Sequence, residues 1–215
     1  MTTSSRVGYS QVILAPEGDY LGGITGVLRV TVGDKEYALK RDSGGYSQTV
    51  SEFKSAAIMR AIGWDDLMPP VRAFSRKRVF LSEYLSGSES MGYGSGHSWT
   101  DLPGNMERAI RIDLFDGLVG NGDRHPGNAL ISSDGVLYAI DHGICSFSSR
   151  YEVYPNLTGH YDSDVIRRHP VPKPTKPLTD SLLRHIGLHR EQRESMLDGY
   201  HQLMAATSLD SLICF

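Results

Sequence analysis

A chain of 215 residues with 40% hydrophobic and 22% charged content can bury a core without disulfide or metal staples. Its formal net charge of −3 leaves no chain-wide excess of Lys and Arg, which excludes general nucleic-acid binding. No apolar run approaches the roughly 18 residues of a membrane span, MTTSSRVGYS has no apolar leader core, and Cys145 and Cys214 lack metal-ligand spacing, so a cytoplasmic, reducing location is the expectation.

The chain opens with a strand expected at SQVILA, 10–15, and a glycine-rich turn, PEGDYLGGITG. VLRVTV (27–32) and EYALKR (36–41) read as a hairpin turned by Gly33-Asp34-Lys35. A helix is expected over 49–62, with Val50, Phe53, Ala57 and Ala61 on one stripe, Ile58 and Ile62 beside it and Gly63 as its stop. Pro69-Pro70 break the chain, and VRAF and RVFLSEYL form two more strands around a basic turn. The first part is thus a sheet with one helix.

Residues 86–104 are rich in Gly and Ser and read as a hinge, dividing the chain into units 1–86 and 87–215. A helix follows over 105–119, with Asn105 as its cap and Ile110, Leu114 and Leu118 on its apolar side. NALIS and VLYAID are short strands turned by Ser133-Asp134-Gly135. The irregular stretch 144–180 ends in RRHPVPKPTKP, whose prolines favour an extended course. Its basic groups Arg167, Arg168, His169, Lys173 and Lys176 read as a solvated connector. Two tail helices are expected, 178–186 and 189–206, the second burying Met196, Leu197, Tyr200, Leu203 and Met204.

Polar residues gather around one short hairpin, NGDRHPGNALISSDGVLYAIDHG, 121–143. Asp123 and Asn128 share the loop after a buried helix, and the hairpin returns Asp141 toward Asn128. A carboxylate and an amide oxygen converging there suit a hard cation such as Mg²⁺, with Mn²⁺ as the alternative ion. Asp123 is then free to orient an attacking hydroxyl, the division of labour that phosphoryl transfer needs. Lys40, on the third expected strand, can reach phosphates, and Glu52 on the next helix can hold it. Gly-rich stretch, strand Lys, helix Glu, catalytic Asp, metal Asn and metal Asp is the order of kinase parts.

GNGDRHPGN followed by AIDHGICSF resembles the catalytic and metal loops of the phosphatidylinositol 3-/4-kinase-like superfamily, with DRHxxN and IDHG or IDFG. It is also similar to aminoglycoside-phosphotransferase-like and HipA-type kinases, which share the bilobal protein-kinase-like fold. The resemblance implies an α+β chain with a small antiparallel-sheet N-lobe carrying one helix, and a reduced, mainly helical C-lobe. It makes Asp123 the catalytic carboxylate, Asn128 and Asp141 the metal ligands and Lys40 the phosphate ligand, with His125 assisting proton transfer or the transferring phosphate. Glu83, Tyr84 and Leu85 become the hinge that meets adenine through backbone groups, and Ala38, Leu130 and Ile140 the apolar walls. Gly18, Gly22, Gly23 and Gly26 could offer backbone N–H groups to phosphate, although no GxGxxG is present.

Competing uses stand beside these. Asp123 could be a turn residue, Asn128 a loop brace and His142 a packing residue. Thr49-x-x-Glu52 is also a capping box, which would turn Glu52 back on its own helix. The expected activity is ATP/Mg-dependent transfer of the γ-phosphate to a hydroxyl, with protein Ser/Thr first, a phosphoinositide or small molecule second, and a nucleotide-binding pseudokinase as the non-enzymatic rival.

Overall fold

The computed structural model describes residues 20–22, 26–42, 48–74, 79–91, 104–151, 157, 170–209 and 212. The strand expected at 10–15, Gly18, Gly23 and the basic groups at 167–169 lie outside these. Five strands form one antiparallel sheet: β1 (Tyr20–Gly22), β2 (Val27–Val32), β3 (Lys35–Arg41), β4 (Val71–Phe74) and β5 (Val79–Glu83), in the order β1-β2-β3-β5-β4. The β2–β3 hairpin closes through Gly33-Asp34, since Val32 already pairs with Lys35. The turn is one residue shorter than expected.

Side chains alternate across this sheet. Val30, Val32, Tyr37, Leu39, Val79 and Leu81 form a small apolar cluster on one face. The other face carries Ala38 and Lys40 of β3, paired with Ser82 and Phe80 of β5. Helix α1 (Gln48–Ile62) packs beside it and buries Glu52, Ser55, Ala56, Ile58, Met59 and Ile62. The stripe expected from hydropathy is therefore displaced: Val50, Phe53, Ala57 and Ala61 are only partly buried. The inward face includes polar side chains, which an apolar periodicity cannot mark.

Gly63 ends α1 at φ +81°, with Trp64 N–H donating to Met59 O. A Cβ there would collide with Thr175 Oγ1 of the proline-dense segment, whose Thr175 N–H donates to Ile62 O at 3.0 Å.

The second lobe begins with β6 (Glu89–Ser90), which joins β7 (Ala129–Ile131) and β8 (Leu137–Ala139) in an antiparallel sheet ordered β6-β7-β8. Part of the expected hinge is thus a strand. Helix α2 (Asn105–Val119) is the buried centre, with Ile110, Ile112, Phe115 and Leu118 each at most 1% exposed. Its N-cap is Gly104; Asn105 is instead buried, donating to Gly135 O and accepting from Leu137 N–H. It ties the helix to the β7–β8 hairpin rather than capping it.

Helices α3 (Asp180–His185) and α4 (Arg190–Ala205) complete the lobe, α3 being capped by Thr179. Met196, Tyr200 and Leu203 of α4 are buried, but Met204 is 41% exposed, beyond the edge of the inward stripe. Lys173 is not a solvated charge: its ammonium donates to Leu203 O and Ala206 O at the end of α4. Among the described residues no helix is long and apolar enough to cross a membrane.

Candidate active site

The two lobes enclose a cleft of about 360 Å³. From the first lobe come Ala38, Lys40 and Glu52, from the connection Glu83, Tyr84 and Leu85, and from the second lobe Asn128, Leu130, Ile140 and Asp141. Ten of the residues proposed from sequence therefore line one cavity. Gly22 lies in β1, but its neighbour Leu21 supplies the wall; Gly23 is outside the described residues. Val27, Met68, Val71 and Phe80 add apolar wall that no sequence motif marked.

At the floor, Lys40 Nζ lies 2.6 Å from Glu52 Oε1 and 2.9 Å from Asp141 Oδ1. Glu52 also accepts from the His142 backbone N–H. The capping-box reading of Glu52 gives way to the Lys40 pair, and Asp42 Oδ1 accepts from Thr49 N–H instead. Burial opposes the Lys40 charge, but the two carboxylates outweigh it and hold its pKa above the ordinary lysine value. Burial pushes the Glu52 carboxyl up, while Lys40 pulls it back. Side-chain exposure of 14% for Lys40 and 2% for Glu52 makes this pair largely desolvated.

Asp141 lies two residues past the end of β8 with φ +60°, a left-handed conformation that Asp tolerates better than most residues. Gly143 follows where space is short: a Cβ would stand 3.1 Å from Gln48 Cβ and 3.3 Å from Asp141 Oδ1. Helix α1 and the Asp141 loop therefore touch, and Cys145 adds to the seam by donating to His142 O and accepting from Ser55 Oγ. Burial pushes the Cys145 thiol up to about 12, so it stays protonated and inert.

Asn128 closes a 3₁₀ turn, Pro126–Asn128. Its Nδ2 donates to Asp123 O at 2.9 Å, leaving Oδ1 as the group to meet a ligand. Asp123 and His125 are exposed and stand outside the cleft wall, on the loop leading into it. His125 Nδ1 accepts from Gly127 N–H, so one ring nitrogen already has a structural task.

Sequence reasoning missed the residue that holds this loop together. Arg124 is buried, with Nε donating to Asp116 Oδ2 at 2.6 Å and Nη2 to Asp116 Oδ1 at 3.2 Å. Its Nη1 donates to Asn128 O and to Ile140 O, and Nη2 reaches His142 Nε2 at 2.9 Å. One guanidinium thus fixes the backbone beside both Asn128 and Asp141. The available signal was Asp116, a carboxylate on the apolar face of α2, which required a buried cation as partner. His142, read as a packing residue, is fully buried and completes this network.

The hinge has an open polar edge. Tyr84 N–H donates to Glu36 O, and Glu83 N–H donates to Pro70 O at 2.8 Å. The Glu83 carboxylate pairs with Lys35 at 3.1 Å, and Arg29 stacks on the Tyr84 ring at 4.6 Å. Side chains are thereby tied outward. In this register Glu83 O is turned away from β3, and Leu85 N–H donates to no backbone group among the described residues.

The residues present fit a small dication. Asn128 and Asp141 offer two oxygen donors, and among the described residues no group of three His, Cys, Asp or Glu side chains forms a self-sufficient metal centre. Few protein oxygens, with water and phosphate completing the shell, is the Mg²⁺ habit rather than that of a caged structural ion.

A sheet with one helix, a linked helical lobe, and a lysine–glutamate–aspartate cluster between them have the form of a two-lobed, kinase-like fold. The phosphatidylinositol 3- and 4-kinase family model matches residues 111–209. Protein Rv2133c of Mycobacterium tuberculosis is 45% identical over 38 residues, spanning 18% of this chain and 14% of that protein. Among solved structures, choline kinase LicA from Streptococcus pneumoniae is 14% identical at TM-score 0.47, covering 95% of this chain and 92% of that one. The Helicobacter pylori proinflammatory kinase CtkA is 13% identical at TM-score 0.45, covering 93% and 94%.

Proposed function

We propose that the chain is an ATP- and Mg²⁺-dependent phosphotransferase that moves the γ-phosphate to a hydroxyl, with protein Ser or Thr as acceptor in a cytoplasmic setting. The observation that carries this reading is the Lys40 ammonium, held between Glu52 of one lobe and Asp141 of the other at the floor of the cleft. Adenine occupies the hinge end between Ala38, Leu130 and Ile140, and Lys40 faces the phosphates. Asn128 and Asp141 would hold Mg²⁺, which spreads the charge of the transferring phosphate. Asp123 orients the acceptor hydroxyl and receives its proton as the oxygen attacks phosphorus and ADP departs. With Nδ1 engaged by Gly127 N–H, His125 would use Nε2 to assist proton transfer or to stabilise the transferring phosphate. Catalysis rests on positioning and charge stabilisation.

A protein acceptor is supported by the exposure of Asp123 and His125 outside the cleft, where a large substrate can approach. A phosphoinositide headgroup is the second reading, favoured by the description of the family model matching 111–209.

The test is intact mass of the protein and of candidate acceptors after incubation with Mg-ATP, alongside ADP release. Gain of one phosphate on a protein, or on a phosphoinositide, selects between the readings. A melting shift with Mg-ATP but no ADP release with any acceptor overturns the enzyme and leaves a nucleotide-binding regulatory module. A product heavier by AMP overturns phosphoryl transfer in favour of nucleotidyl transfer.

A further inference from the structure

We infer that Pro70 sets the base selectivity of the cleft by withholding a hydrogen from the hinge. The inference rests on the nucleotide-binding reading above. Strands β4 and β5 pair antiparallel, Val71 opposite Ser82 through Phe74 opposite Val79, and the same register places Pro70 opposite Glu83. Glu83 N–H donates to Pro70 O at 2.8 Å, so these two residues occupy a hydrogen-bonded pair position. Any other residue at 70 would return its own N–H to Glu83 O. Proline has none.

The other side of β5 does not compensate. The Tyr84 N–H to Glu36 O bond makes Tyr37 and Glu83 a non-hydrogen-bonded pair, so Glu83 O faces away from β3. Leu85 N–H, two residues on, points to the same side by strand alternation. Its own carbonyl is closed into the turn by Ser88 N–H, at 3.1 Å. Both Glu83 and Leu85 line the cleft, and so does Pro69, next to Pro70. The cleft edge therefore presents an acceptor followed by a donor.

That order matches adenine, whose exocyclic amine donates and whose adjacent ring nitrogen accepts. Guanine presents the reverse, a carbonyl and a ring N–H, and would set acceptor against acceptor and donor against donor. Pro70 keeps the acceptor free for the base by never engaging it from β4.

Titration calorimetry with Mg-ATP and Mg-GTP tests this on the full chain. The parent binds ATP at least about tenfold more tightly than GTP, the scale of a site whose polar groups go unpaired with the wrong base. Pro70→Ala restores the N–H and weakens ATP binding about three- to tenfold, with GTP unchanged. Replacing residue 70 with lactic acid by nonsense suppression gives the same methyl side chain without an N–H, and recovers the parental ratio. Equal ATP/GTP ratios in the parent and the alanine variant, or a lactate variant that behaves like alanine, overturn the inference alone. A parent that binds neither nucleotide overturns the nucleotide-binding reading and the inference with it.

Discussion

Lys40 and Asp141 come from opposite lobes and meet at 2.9 Å, with Glu52 on the other side of the same ammonium at 2.6 Å. Removing the lysine leaves two carboxylates facing each other, one of them almost fully buried. Lys40→Met is expected to lose about 3–5 kcal/mol of stability, as for other broken buried pairs. The double variant Lys40→Met/Glu52→Leu should recover most of that loss in a thermal melt, because it removes the orphaned charge. Neither variant should transfer phosphate, which separates the structural role of the pair from its chemical one.

Asp123 and Asp141 should fail differently. Asp141→Ala abolishes Mg-dependent nucleotide binding, since it removes the cleft carboxylate proposed to hold the ion and leaves at the floor, among the described residues, only Glu52, which is buried against Lys40. Asp123→Ala, outside the cleft wall, leaves binding intact and lowers turnover by roughly 10²–10⁴. Calorimetry with Mg-ATP, followed by a radiolabelled transfer assay, distinguishes the two. Parental behaviour from both variants would remove the site assignment.

Arg124 carries a structural load that lysine cannot. Its planar fork meets both Asp116 oxygens and still reaches two backbone carbonyls, whereas an ammonium offers one point charge. Arg124→Lys should therefore lose most of the stability lost in Arg124→Met, with the methionine variant down by about 3–5 kcal/mol in urea unfolding. A lysine variant as stable as the parent would show that charge alone suffices.

His142 predicts an acid-side stability loss. Burial, with the Arg124 and Lys40 charges, holds its pKa well below the usual imidazole value, so the folded ring stays neutral. Its contribution is fully present above the unfolded-state value of about 6.5. As pH falls below that, the unfolded chain binds a proton the folded chain refuses, and stability drops with a slope approaching ~1.4 kcal/mol per pH unit. His142→Gln should flatten the difference in stability between pH 7 and pH 5. An unchanged slope would mean the other histidines carry it.

Much of this architecture was legible because local chemistry and tertiary role agreed. Alternating or apolar runs marked β2, β3 and β5, and Lys40, Glu52, Asn128 and Asp141, picked out by their order, line one cleft, with Asp123 on the loop beside it. The failures share a cause. Asn105, Asp116, Arg124 and Lys173 are polar groups whose partners lie 30–32, 5–8, 4–18 and 30–33 residues away, in hydrogen bonds no local pattern encodes. The inward face of α1 was legible only in part: Glu52 was expected to turn toward Lys40, but Ser55 carries no apolar signal and is buried only because Cys145 comes beside it.

The proline-dense segment has one more consequence. Thr175 hooks the last carbonyl of the helix that presents Glu52, while Lys173, two residues earlier, grips the far end of α4. A stiff strap so short cannot slacken at one anchor without tugging the other. The tail helices thus act as ballast for the nucleotide lobe, and a version trimmed after Tyr151 should yield a drifting Glu52 helix rather than a smaller working enzyme.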